Sequence, residues 1–254
     1  MSKPFEIVRE FEVEASPEQV WEAVSSGTAG WLWPMEYEPR EGGAAPFGGT
    51  VTAWDPPHRL TGRSEGPEEG PRQVFNQLDH LIEPREGGGS WVRYVHSGIF
   101  VDDWDNQYDG ADKHTDFYLH TLREYLRHFT GRPAVFAGAD GSGAAGDPDA
   151  LVAAARALGL PDRAAAGHTV HVQLPGAAHA TDVVLDYRDP YFIGLRTDHA
   201  MYRFFGRNRF GATVGVTVHD FDPAADPAGL EADIKHWLDG VYGVPAAPAA
   251  PASA

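Results

Sequence analysis

A chain of 254 residues, 42% hydrophobic and with 29 glycines and 20 prolines, has room for two ordinary domains of short elements and many turns. Its formal net charge of -17, from 20 Lys and Arg against 37 Asp and Glu, excludes the basic stripe that a nucleic-acid backbone needs and the polybasic patch that docks on anionic lipid. Cysteine is missing, which removes disulfides, zinc–thiolate sites and thiol nucleophiles together and fits a reducing compartment.

The opening residues MSKPFEIVREFEVEAS alternate charged and apolar side chains with no signal-peptide core, and no apolar run is long enough to span a bilayer. The expectation is an acidic cytoplasmic protein without membrane insertion. Phe5, Ile7, Phe11 and Val13 share one face of a strand, which Arg9 interrupts. SPEQVWEAV then starts a helix: Ser16 caps, Pro17 suits the first position and Gln19 completes a capping box. Trp31, Leu32 and Trp33 form an apolar knot ended by Pro34. A meander follows, with strands expected near Glu36–Arg40, Gly49–Trp54, Arg59–Ser64, Val74–Ile82 and Ser90–Phe100. In HTDFYLHTLREYLRHFTG the apolar residues Tyr118, Leu122, Tyr125 and Phe129 recur at helical spacing, closed by Gly131 and Pro133.

Residues 134–147, rich in Gly and Ala, read as a linker. Beyond it come a helix to Leu158, strands near Thr169–Leu174, Asp182–Tyr187, Tyr191–Arg196 and Thr213–His219, and a helix over about Leu230–Val241. The Pro/Ala tail 245–254 reads as disordered on composition. Both halves carry an Asp-Pro turn between strands, at Asp55-Pro56-Pro57 and Asp189-Pro190, then a strand with a histidine, His96 or His219, and a final helix. That order suits either a degenerate duplication or two unrelated meanders. The second half shows no evident match to the strand and capped helix of Phe5–Val24.

The carriers FEVEASPEQVWEAV, GGTVTAWDPPHRLTGRSE and HTDFYLHTLREYLRHFTG make residues 4–131 similar to the START-like (SRPBCC) helix-grip superfamily. The branch they resemble is the one named after the activator of the ninety-kilodalton heat-shock-protein ATPase. The resemblance implies an α+β fold in which a curved antiparallel sheet wraps a long C-terminal helix around an apolar cavity. The expected layout is a helix-grip domain over 1–133, the linker, a smaller α+β domain over 148–244 whose element order suits a degenerate second copy, and the tail. In the superfamily the cavity takes lipids, hormones or polyketides, and in some members it cyclises or hydrates its ligand. Nothing before residue 4 corresponds to the chaperone-binding domain of the namesake protein.

Expected cavity liners are Phe117, Tyr118, Leu122 and Tyr125 on the closing helix and Trp54, Phe75, Trp91 and Tyr94 on the sheet. The same stripe serves equally as a filled core. The polar stretch YVHSGIFVDDWDNQYDGADKH admits three readings. One is a calcium-type loop through Asp105, Gln107, Asp109, Gly110 and Asp116, with Gln and the last Asp departing from the EF-hand pattern. Another is acid–base chemistry by His96 or His114 with a carboxylate such as Asp103. The last is a solvated loop whose acids favour the N-terminus of the closing helix. No nucleophile elbow, phosphate loop, metal site or cofactor motif is evident. The resemblance therefore implies a non-catalytic START-like protein that binds a hydrophobic small molecule or a protein partner. The alternatives are a cyclase or hydratase using the same cavity and a chaperone ATPase-regulating interaction protein.

Overall fold

The computed structural model describes residues 2–66 and 73–243, and of Gln73 only its backbone; the tail expected over 245–254 lies outside the described residues. The protein is α+β, with two six-stranded antiparallel sheets and four α-helices among the described residues. The first sheet is built from β1 (Lys3–Val13), β2 (Ala44–Ala45), β3 (Gly49–Asp55), β4 (Arg59–Glu65), β5 (Gln73–Pro84) and β6 (Ser90–Phe100), in the order β1-β6-β5-β4-β3-β2. Helix α1 (Pro17–Ser25) follows β1, and α2 (Trp104–His128) follows β6. The capping box forms as its spacing implies: Gln19 N donates to Ser16 Oγ at 3.4 Å and Ser16 N donates to Gln19 Oε1 at 2.9 Å.

The second sheet contains β7 (Val135–Asp140), β8 (His168–Val172), β9 (Thr181–Arg188), β10 (Phe192–Arg196), β11 (Ala200–Gly206) and β12 (Val214–Asp220), in the order β7-β12-β11-β10-β9-β8. Helices α3 (Ala150–Ala157) and α4 (Pro227–Tyr242) follow its first and last strands. Each sheet thus runs first, sixth, fifth, fourth, third, second, with helices at matching places, which is a double-copy arrangement. The Asp-Pro turns answer one another: each joins the third strand of its sheet to the fourth. In the second copy Asp189 Oδ1 accepts from the backbone N–H of Tyr191 and of Phe192, both at 2.7 Å, so the aspartate itself holds the turn.

Three expectations need correction. Residues 134–147 are not a plain linker, because VFAGAD forms β7, the counterpart of β1; the match that the second half was expected to lack is β7 with α3. No strand forms over Glu36–Arg40, where alternation suggested one. Pro39 has no N–H for a ladder, and Glu38 instead closes a local loop, its N–H donating to Ala44 O at 2.8 Å and its Oε2 accepting from Ala44 N at 3.1 Å. The closing helix begins at Trp104 rather than near His114, so most of the supposed acidic loop is helical.

By compactness the described residues up to Phe136, with Arg196–Met201 and Val218–Pro227, form one unit, and the remaining described residues form the other. Among the described residues no helix is long and apolar enough to cross a membrane.

Candidate functional site

Register sets which side chains face α2. Arg9 on β1 lies opposite Tyr94 on β6, Tyr94 opposite His80 on β5, His80 opposite Leu60 on β4, and Leu60 opposite Trp54 on β3. Because alternate residues share a face, this row crosses the sheet on its helix side. Tyr94, Leu60, Val92 and Ile82 pack there in one cluster with Leu122, Tyr125 and Leu126 of α2 and with Phe129 just past its end, with Tyr118 and Trp54 beside them. Trp54 meets Trp21 of α1 edge-on at 4.9 Å. Of the expected liners, Trp54, Tyr94, Tyr118, Leu122 and Tyr125 are therefore brought together.

The other three are not. Phe75 stands opposite Glu65, and Trp91 opposite Glu12 and Glu83, one step out of phase with Tyr94 and so on the far face. There Arg63 covers the Phe75 ring at 3.9 Å and Arg85 the Trp91 ring at 5.5 Å. Phe117 is fully buried, yet five residues from Leu122 turn it roughly 140° away around the helix.

The catalytic candidates are held separately. His96 Nε2 lies 2.6 Å from Asn76 Oδ1, and burial pushes this imidazole down to about 4. His114 Nδ1 lies 2.7 Å from Gly110 O, one turn back in its own helix. Asp103, exposed, is the residue before α2 and accepts from Asn106 Nδ2 at 3.0 Å. The calcium-type reading fails because Asp105, Gln107, Asp109 and Asp116 lie along a helix and cannot wrap a cation. Among the described residues no group of three or more acids and histidines could hold a metal ion.

The acids of that stretch have another partner, which the sequence presented as a flaw in β1. Arg9 Nη2 donates to Asp112 Oδ1 at 2.7 Å and Arg9 Nε to Asp116 Oδ1 at 2.6 Å. Asp116 chiefly raises the guanidinium pKa. Burial works to raise the Asp112 carboxyl, but the bond to Arg9, its charge and Lys113 hold it below the usual range. An arginine in an apolar strand face and two carboxylates at i, i+4 were the available signal.

Sequence reasoning missed two further residues in the concavity. His80 is 3% exposed and its Nε2 has no hydrogen-bond partner among the described residues; its ring lies 5.0 Å from that of Tyr94. Trp33 Nε1 is likewise buried without a partner, whereas the indole of nearby Trp31 donates to Ala23 O at 2.8 Å. Trp33 meets Tyr118 edge-on at 5.6 Å and Phe47 at 6.1 Å. Phe47 is 68% exposed at φ 60, a backbone region that costs a side chain about 1–2 kcal/mol. Burial also pushes the Tyr37 phenol up to about 12 and Tyr94 higher still, so both stay protonated.

Between Met35–Phe47 and strands β4 and β5 lies a void of about 20 Å³, lined by Met35, Tyr37, Gly62 and Leu78 among others. It is no larger than one water needs. A larger cleft of about 540 Å³ opens elsewhere in this unit, among Glu12, Glu14, Arg85, Glu86, Arg123 and Arg127. Its charges partly answer one another, with Arg85 Nε 3.4 Å from Glu12 Oε1, which suits a solvated groove better than an apolar ligand.

Burial depresses His80 from an ordinary 6.5 to about 4, against a smaller opposing pull from Asp79. The unfolded chain therefore binds a proton between those values that the folded chain refuses. Stability is complete above about pH 6.5 and falls as pH drops towards 4, by on the order of 3 kcal/mol for this residue. Urea midpoints at pH 4.5, 5.5, 6.5 and 7.5 should show a shallower acid slope for His80→Gln than for the parent protein. Parallel slopes would show that His80 titrates normally.

No protein-family model matches the chain, and no curated protein matches it. Solved structures to which it is similar include the protein MLL2253 from Mesorhizobium loti, at 20% identity over 49% of this chain and 98% of that one, TM-score 0.42. The di-domain ARO/CYC BexL from the BE-7585A biosynthetic pathway is similar over 95% of this chain and 99% of its own, at 14% identity and TM-score 0.42. The Aha1 dimer from Colwellia psychrerythraea follows at 18% identity over 48% and 96%, TM-score 0.37. What the concavity does has to be argued from its own chemistry.

Proposed function

We propose that the first copy is a non-catalytic receptor for a small, largely apolar molecule, held between the segment Met35–Phe47 and strands β4 and β5. The observation that carries this is that, among the described residues, two ring nitrogens on this side of the sheet are buried without partners, Trp33 Nε1, whose ring meets the void-lining Phe47, and His80 Nε2, whose ring meets Tyr94. A core built only to be filled gains nothing from such groups, since each carries a desolvation cost of about 1–3 kcal/mol. Acid–base chemistry is the weaker reading: His80 and His96 sit near 4, far from a base poised for neutral pH, and His96 is bonded to an amide rather than a carboxylate.

Gly62 provides the test. A Cβ there would meet Tyr37 Cε1 at 3.4 Å and Ala45 Cβ at 3.7 Å, ordinary contacts, and would fill the void. Gly62→Ala should shift stability by no more than about 0.5 kcal/mol and weaken uptake of the uncharged dye prodan, read by its fluorescence. Native mass spectra of protein purified without detergent should show a bound small molecule. Protein of bare chain mass that leaves the dye dark would overturn the proposal.

A further inference from the structure

Where β1 ends, the cleft of about 540 Å³ falls in the size range of small-molecule sites, about 300–1,000 Å³. Its walls carry three guanidinium groups, Arg85, Arg123 and Arg127, and three carboxylates, Glu12, Glu14 and Glu86. In a chain with 20 Lys and Arg against 37 Asp and Glu, such a balance of charge is local. We infer that this cleft binds a short zwitterionic peptide, its carboxylate against α2 and its ammonium group against the strand end and the β5–β6 turn. The cleft and the void of the apolar receptor share no lining residue, so either site can fail without the other.

The two signs come from different elements. Arg123 and Arg127, four residues apart, lie on one face of α2. The Arg127 side chain is 68% exposed and its own partner is remote: Glu124 Oε1 stands 3.9 Å away, while the other oxygen of that carboxylate takes Arg196 Nε at 3.0 Å. Glu14 follows β1 and Glu86 sits in the turn between β5 and β6, and among the described residues neither has an ion pair. Glu12 and Arg85 instead answer one another. An anion alone would meet Glu14 and Glu86, and an amine alone would meet Arg123 and Arg127, so like charges count against both. A guest charged oppositely at its two ends can satisfy both walls.

Peptide character follows from the rest of the lining. Gly87 and Gly89 can offer the cleft only backbone N–H and C=O groups, and a Cβ on Gly87 would touch nothing, so the space beside it is open. Gln19, whose Oε1 accepts from Ser16 N, keeps its amide N–H groups for a carbonyl oxygen.

Triglycine, N-acetyltriglycine and triglycinamide carry both charges, the negative one alone and the positive one alone on the same backbone. Each is titrated into the full chain at about pH 6.5, where both ends of triglycine are charged, and followed by the amide resonances of Gly87 and Gly89. Triglycine should bind about two- to five-fold more tightly than either blocked form, the gain of one solvent-exposed ion pair. Arg127→Gln should bring triglycine down to the affinity of triglycinamide, and Glu14→Gln with Glu86→Gln should bring it down to that of N-acetyltriglycine. All three positions are exposed, so Tm should move by no more than about 2 °C.

N-acetyltriglycine binding as tightly as triglycine would remove the need for a positive end, and triglycinamide doing so would remove the need for a negative one. Either result overturns the zwitterion. Gly87 and Gly89 resonances unmoved by all three peptides would remove the site itself.

Discussion

Arg203→Met should destabilise the second copy by roughly 3–5 kcal/mol, the loss that follows when one partner of a buried ion pair is removed. The side chains of Arg203 and Asp186 are 1% and 3% exposed, and Arg203 Nη1 donates to Asp186 Oδ1 at 2.8 Å and Oδ2 at 2.9 Å. They reach across β10 over Gly194, where any β-carbon would land on both charged groups. Without Arg203 the buried Asp186 carboxylate would lose this counter-charge. The double substitution Arg203→Met with Asp186→Leu should regain most of the loss, since two apolar groups leave no charge to solvate. Urea denaturation of the parent, both single variants and the double variant measures the coupling. Additive losses would mean that the pair does not act as a pair. Four residues on, Arg207 likewise answers an internal acid, its Nη1 lying 2.8 Å from Asp140 Oδ1.

Leu122→Ala should cost the first copy about 2–5 kcal/mol, the range for removing a fully buried leucine and leaving a cavity. Leu122 is wholly buried and packs in the cluster that joins α2 to Leu60, Ile82, Val92 and Tyr94. Leu122→Met, which nearly conserves volume, should cost less than about 1.5 kcal/mol. Thermal or urea midpoints for the pair test the placement. Near-neutral behaviour of Leu122→Ala would remove the helix from the concave side.

The parts of the fold legible in the sequence were those with a local signature. Tyr118, Leu122, Tyr125 and Phe129 announced the closing helix through spacing, and Ser16 to Gln19 announced α1 through its capping box. The front of α2 was hidden, since Asp105, Asp109 and Asp112 look like a loop when the arginine that takes one of them is read as an interruption of a strand about a hundred residues earlier. Strand β7 was hidden by its small residues, Ala137, Gly138 and Ala139, which pack as a strand only because a sheet offers them a place. In the site, aromatic character alone misassigned Phe75 and Trp91. Phase decides their face, and counting from Tyr94 puts Trp91 on the other side. Phe75 further depends on a register shift in β5 between Gln73 and Asn76. Trp33 and His80 could not be singled out at all, because an unbonded nitrogen is a property of surroundings assembled from distant segments.

The two ends of α2 are fastened by different sets of forces. Towards its C-terminus Leu122, Leu126 and Phe129 are seated in hydrocarbon, a contact indifferent to ionic strength. Nearer its start, where Trp104, Tyr108 and Ala111 pack on Phe5, Ile7 and Phe100, there is in addition one guanidinium on two part-exposed carboxylates, an attraction that dissolved salt weakens. Brine would thus take from the front of this rod only the share of its hold that the guanidinium supplies, leaving apolar packing at both ends in place.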